Sequence, residues 1–106
     1  MKAMNDATTA FLRGIMNYLN FGMVVEEIRS RSWASATFSG ARHELTFRMA
    51  GEGAAAAADR FILHLRAAEF DLRGHIMADI ALVSDERHDE EDLIRISLEA
   101  LTVEDC

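Results

Sequence analysis

Cysteine is almost missing from the chain: the one residue of its kind is Cys106, at the last position. No intrachain disulfide can form, and nothing in cysteine usage points to an oxidising compartment. Long apolar runs are missing too, and none approaches the roughly 20 residues of a membrane-spanning helix. Residues 1–20 carry one lysine, an acid at Asp6, and apolar positions broken by Arg13 and Asn17, which is not the layout of a signal peptide. These absences predict a cytoplasmic protein with no membrane association.

Alanine takes a large share of the apolar residues. Half of the 106 residues are hydrophobic, but many are alanines, including the run Ala54 to Ala58. Alanine contributes little apolar area to burial, so a single small domain of this composition has a thin core. Self-association would supplement it, and the two-fold homodimer is the expected assembly.

The formal net charge is -7, which argues against nucleic-acid binding through the phosphate backbone. Charge is unevenly distributed: residues 1–50 hold six bases and four acids, and residues 51–106 hold five bases and fourteen acids. Complementary halves of this kind can steer two copies, or a copy and a partner protein, into contact.

Hydrophobic periodicity defines the elements. Phe11, Leu12, Ile15 and Leu19 recur at spacings of three and four, giving a helix over about 6–20, with Asp6 or Thr8 available to its first turn. Val24, Val25 and Ile28 repeat the spacing beyond Gly22. The pattern leaves open a helix reaching about 29, a break at Gly22, or a strand around Met23 to Ile28.

From Trp33 the period becomes two and predicts a hairpin over about 33–50, with Ala34, Ala36 and Phe38 on one face, a turn at Ser39-Gly40, and then His43, Leu45, Phe47 and Met49. Gly51-Glu52-Gly53 punctuates the chain. A second helix is expected over about 54–70 on the stripe Ala54, Ala57, Ala58, Phe61, Ile62 and Leu65, and Gly74 suits a turn with positive φ. A second hairpin is expected over about 75–103. In it Ile76, Ala78, Ile80 and Leu82 share a face opposite Met77, Asp79, Ala81 and Val83, and Asp85 to Asp92 form part of a polar connection. The alternation slips near Ala100, which implies a bulge or a covered strand end.

The predicted fold is therefore an α+β two-layer sandwich in α-β-β-α-β-β order, with a four-stranded, mainly antiparallel sheet and both helices on one face. With Ala34, Phe38, Leu45, Phe47, Ile80 and Ile96 toward the helices, the other face holds Trp33, Met77, Ala81, Val83, Leu101 and Val103. That apolar set is the expected interface.

Catalytic signals are sparse. His43 is in phase with Leu45 and Phe47, where a neutral imidazole with a hydrogen bond suffices. His75 and Asp79 lie about 13 Å apart along a strand, and Asp79 is expected to meet Arg95, Arg42 or Arg48 across strands. His43, Glu44, His75 and Asp79 are the residues a pocket would have to bring together. His88, Asp89 and Glu90 lie in an acidic segment whose spacing matches no EF-hand or zinc pattern, so a solvated connection is expected, with no metal or cofactor. The glycines of Gly51-Glu52-Gly53 lack a phosphate-binding lysine and read as a turn. Arg29 and Arg31 beside Trp33 form a small basic-aromatic cluster of the kind that grips a carboxylate or stacks a base. The functional expectation is a non-enzymatic, self-associating domain that contacts a partner protein, and the alternative is a small-molecule binder or small enzyme with a pocket between sheet and helix or at a dimer seam.

Overall fold

The structure, a computed structural model, describes residues 6–105; Cys106 and Lys2 lie outside the described residues. The element order is α1 (Asp6–Leu19), β1 (Val24–Ala34), β2 (Ser39–Ala50), α2 (Ala54–His64), β3 (His75–His88), a single 3-10 turn (Asp89–Glu91) and β4 (Leu93–Glu104). The four strands form one sheet in the order β1-β2-β4-β3, and every neighbouring pair is antiparallel. The fold is thus α+β, with two helices packed against a four-stranded antiparallel sheet.

The end of α1 settles the first open boundary. Asn20 adopts φ 50° and its amide donates to the Met16 carbonyl, so the helix stops before Gly22 is reached. Asparagine is the usual alternative to glycine at a left-handed helix stop. The chain then enters β1 at Val24, a strand and not a helical extension. Its helix-side positions after Ile28 are Ser30 and Ser32, facing His43 and Ala41 in register, so no apolar alternation announces it.

This moves the hairpin turn. Residues 35–38 make the connection, with Ser35 N–H donating to the Phe38 carbonyl. The expectation that Ala34, Ala36 and Phe38 face the helices is corrected: Ala34 and Ala36 are exposed, and Phe38 is 59% exposed. Helix α2 is also shorter than its stripe. Beyond His64 the amides of Leu65 and Ala67 bond to carbonyls three residues back, which tightens the chain into turns over the rest of the expected span.

The core sits between the helices and the central strands. Leu45, Phe47 and Met49 of β2 and Ile94, Ile96 and Leu98 of β4 meet Phe11, Ile15 and Leu19 of α1 and Ala57, Ala58 and Phe61 of α2. The alanines of α2 allow close approach to the sheet, and the aromatics supply the volume; Phe47 and Phe61 meet edge to face at 6.1 Å.

Two bulges in β3 re-phase that strand, between Met77 and Asp79 and between Leu82 and Ser84. As a result Met77 pairs with Thr102 on the helix side and packs on the core, whereas Ile76 turns outward opposite Val103. The predicted β3 faces are corrected accordingly. Strand β4 itself keeps strict alternation to Thr102, so the slip expected near Ala100 belongs to its neighbour. The polar connection is shorter than expected too: Asp85 to His88 continue β3 and pair with Ile96 to Leu93.

Candidate functional site

The register assigns each polar side chain to one of two faces. On the helix side, His43 is fully buried between α1 and the sheet. Its Nδ1 lies 2.7 Å from Ser30 Oγ and its Nε2 lies 2.9 Å from Thr102 Oγ1. Thr8 Oγ1 donates to Ser30 Oγ at 2.8 Å, and Thr102 Oγ1 donates to the Ala41 carbonyl at 3.4 Å. Both ring nitrogens thus meet a hydroxyl, and in the neutral ring one nitrogen donates to its hydroxyl while the other accepts from its own. Burial, and secondarily the nearby charge of His75, push the imidazole pKa down to about 4, so the ring is neutral at pH 7.

The serine, histidine and threonine of this relay are the ingredients of nucleophilic chemistry, but the ring is sealed under Phe11 and has no exposed edge. The arrangement ties α1, β1, β2 and β4 together. His75, the first residue of β3, bonds through Nδ1 to the Arg73 carbonyl at 2.9 Å. Glu44 and Asp79 lie on the opposite face, in register with outward residues of β4. The four candidates His43, Glu44, His75 and Asp79 therefore do not share one site. Asp79 makes no ion pair among the described residues, in contrast to the expected pairing with Arg95, Arg42 or Arg48.

The outward face, which neither helix covers, is a ladder of rows across the strands. At one end Trp33, Gly40, Val103 and Ile76 stand in one row, and Arg31, Arg42, Leu101 and Asp79 in the next. Of the predicted interface, Trp33, Ala81, Leu101 and Val103 are on this face; Val83 is the unpaired residue of a bulge and 55% exposed, and Met77 is on the other side. Gly40 provides the platform for the indole. A Cβ there would clash with the Thr102 carbonyl and come within 2.9 Å of the Trp33 ring. Trp33 Nε1 is buried and has no hydrogen-bond partner among the described residues.

Farther along, Glu26 occupies the β1 bulge and reaches over the face. Arg95 Nε donates to it at 2.6 Å and Arg48 at 3.2 Å. The Arg95 hydrogen bond first, then that of Arg48, hold its carboxyl below the usual range against an opposing effect of burial. Arg29 pairs with Glu27 at 2.9 Å. Arg87, on the helix side, grips Asp85 through two bonds of 3.1 Å and Asp59 of α2 at 2.7 Å. Sequence reasoning missed Glu26, because a bulge is what aims it. It also missed the partnership of Thr102 with His43.

Beyond Arg87, His88 ends β3 and Asp89 and Glu90 open the 3-10 turn, all exposed. No three or more His, Cys, Asp or Glu side chains are grouped to hold a metal ion among the described residues. A cavity of about 800 Å³ lies between α1 and the start of β3, with Arg13, Asn17, Arg73 and His75 among its lining. No described helix is long and apolar enough to cross a membrane.

No family model matches the chain, and no curated protein matches it. Among solved structures it is similar to one chain of the "Virion of native gene transfer agent (GTA) particle". The two share 22% sequence identity with a TM-score of 0.52, over 80% of this chain and 69% of that one. At this identity the likeness shows the fold.

Proposed function

We propose that this protein is a non-enzymatic component that self-associates and contacts partner proteins in a multi-chain assembly, using the outward face of its sheet. The observation that carries the reading is the end of that face, where Trp33, Ile76, Leu101 and Val103 sit together and no helix covers them. Apolar clusters of this kind on a sheet are characteristic of protein contacts. The fold it shares with a chain of a gene transfer agent virion supports a place in an assembly.

Sedimentation velocity across a hundredfold range of concentration tests it. The expected result is a homodimer that W33S/L101N converts to monomer with an unchanged circular dichroism spectrum. Wild-type protein that stays monomeric at the highest concentration would remove self-association.

The cavity between α1 and β3 supports a second reading, a small-molecule binder. Its volume of about 800 Å³ is that of a ligand site. A native mass spectrum carrying a discrete extra mass, lost in R13A/R73A, would put that reading first.

A further inference from the structure

Arg31 and Arg42 stand directly opposite each other in the β1-β2 ladder. Like charges in that position repel, and neither guanidinium has a carboxylate partner among the described residues. Other arginines of this face, Arg29, Arg48 and Arg95, are paired. With Trp33 and Leu101 the two unpaired arginines line an open hollow of about 300 Å³. Glu44 and Glu99 stand in the next row of the face but neither is in ion-pair contact with Arg31 or Arg42 among the described residues, so two adjacent guanidiniums keep their donors free for an anion from outside the molecule. An aromatic wall, an apolar floor and two guanidiniums suit a carboxylate carried on a short aliphatic stem, since arginine recognises carboxylates through paired donors.

The chain carries such a ligand at the far end of the same sheet. Asp89, Glu90, Glu91 and Asp92 form the tip of the β3-β4 hairpin, all four exposed and none in an ion pair among the described residues. The Gly51 amide donates to the Asp92 carbonyl at 3.1 Å, which fixes the tip beside the end of β2. Arg42 lies eight residues before Ala50 on β2, about 27 Å away along the strand. A tip so placed cannot reach the hollow of its own molecule.

We infer that the hollow lined by Arg31, Trp33, Arg42 and Leu101 is a carboxylate-binding site for the acidic tip, Asp89 to Asp92, of a second copy of this chain. Donor and acceptor patches at opposite ends of one sheet suit a two-fold pair with the sheets antiparallel, in which each copy gives its tip and receives the other's. This inference rests on the self-association proposed above and specifies where the contact is made.

Charge reversal at each patch, followed by mixing, tests it in the full-length chain. R31E/R42E and E90K/E91K each alter exposed side chains with no ion-pair partner among the described residues, so both variants should keep the wild-type melting temperature within a few degrees. Each alone should dimerise at least tenfold more weakly than wild type by sedimentation velocity, and an equimolar mixture should recover a mixed dimer in which the unchanged hollow of E90K/E91K receives the unchanged tip of R31E/R42E while the two altered patches no longer repel. Wild-type association should weaken between 50 and 500 mM salt. If wild type dimerises and both variants dimerise equally well, the site is overturned while self-association stands. If wild type does not associate, self-association falls and this contact with it. A mixture no tighter than either variant alone would also overturn the pairing of tip and hollow.

Discussion

The imidazole of His43 lies flat on the ring of Phe11, with centroids 4.6 Å apart and planes 6° from parallel. The stack closes the upper side of a histidine whose two nitrogens are both engaged by hydroxyls. Protonating the ring would bury a charge and force the hydroxyl that donates to it to turn and accept instead. The low pKa therefore follows from the packing.

It has a consequence for acid stability. The unfolded chain binds a proton at His43 near pH 6.5, and the folded chain holds out until about 4. Stability is therefore unaffected by this group above about pH 6.5 and falls as pH drops toward 4, by up to about 3 kcal/mol. Urea midpoints of wild type and His43→Gln should differ most at pH 7 and converge as pH falls to 4.5. Curves that remain parallel over that range would show that His43 carries no such linkage.

Gly40 and Gly22 make a matched pair. A methyl group at Gly40 meets the Thr102 carbonyl and the Trp33 ring, whereas at Gly22 it meets nothing within 4 Å. Gly40→Ala must move backbone where β2 packs against β4 and should cost about 2 to 4 kcal/mol, within the range seen for overpacked interiors. Gly22→Ala should be neutral or stabilising by up to about 1 kcal/mol through the unfolded chain. Thermal melts of the two variants decide it, and equal midpoints would contradict the close approach.

Glu26 is the only carboxylate bridging Arg48 and Arg95 among the described residues. Its folded pKa is depressed, so its contribution is present above the unfolded value and is lost as pH falls through the lower folded one. Because the cluster is open to water, Glu26→Gln should lower the melting temperature only modestly at low salt, and 0.5 M salt should shrink the difference. A deficit that ignores salt would point to the bulge geometry and not to charge.

Much of the fold was legible because the central strands obey simple rules. Phe47, Leu45, Ile96 and Leu98 alternate without error, and both helices carry continuous stripes, so element order and layering followed. The candidate surface was legible in part. Trp33, Leu101 and Val103 kept their phase, but Met77 did not, because two bulges in β3 add residues that no alternation can announce. Strand β1 was hidden for a different reason. It lies at the sheet edge, its inward positions after Ile28 are serines committed to the His43 relay or to Ala41, and its period of two carries no apolar signal. The relay left a trace nonetheless, since His43 and Thr102 are the polar interruptions of two otherwise apolar stripes on adjacent strands.

That misplaced turn yields the sharpest test of the observed register. Had Phe38 faced the helices, its removal would resemble the removal of Phe47. In the structure Phe47 is fully buried and Phe38 projects from the hairpin turn with 59% of its surface exposed. Phe47→Ala should cost about 3 to 5 kcal/mol, the range for a phenylalanine deleted from a core. Phe38→Ala should change stability by no more than about 0.5 kcal/mol, as surface substitutions do. Denaturant titrations of both variants give the comparison directly. A large loss at Phe38 would return the turn to Ser39-Gly40 and shift the pairing of β1 against β2, and with it the row that sets Arg31 opposite Arg42.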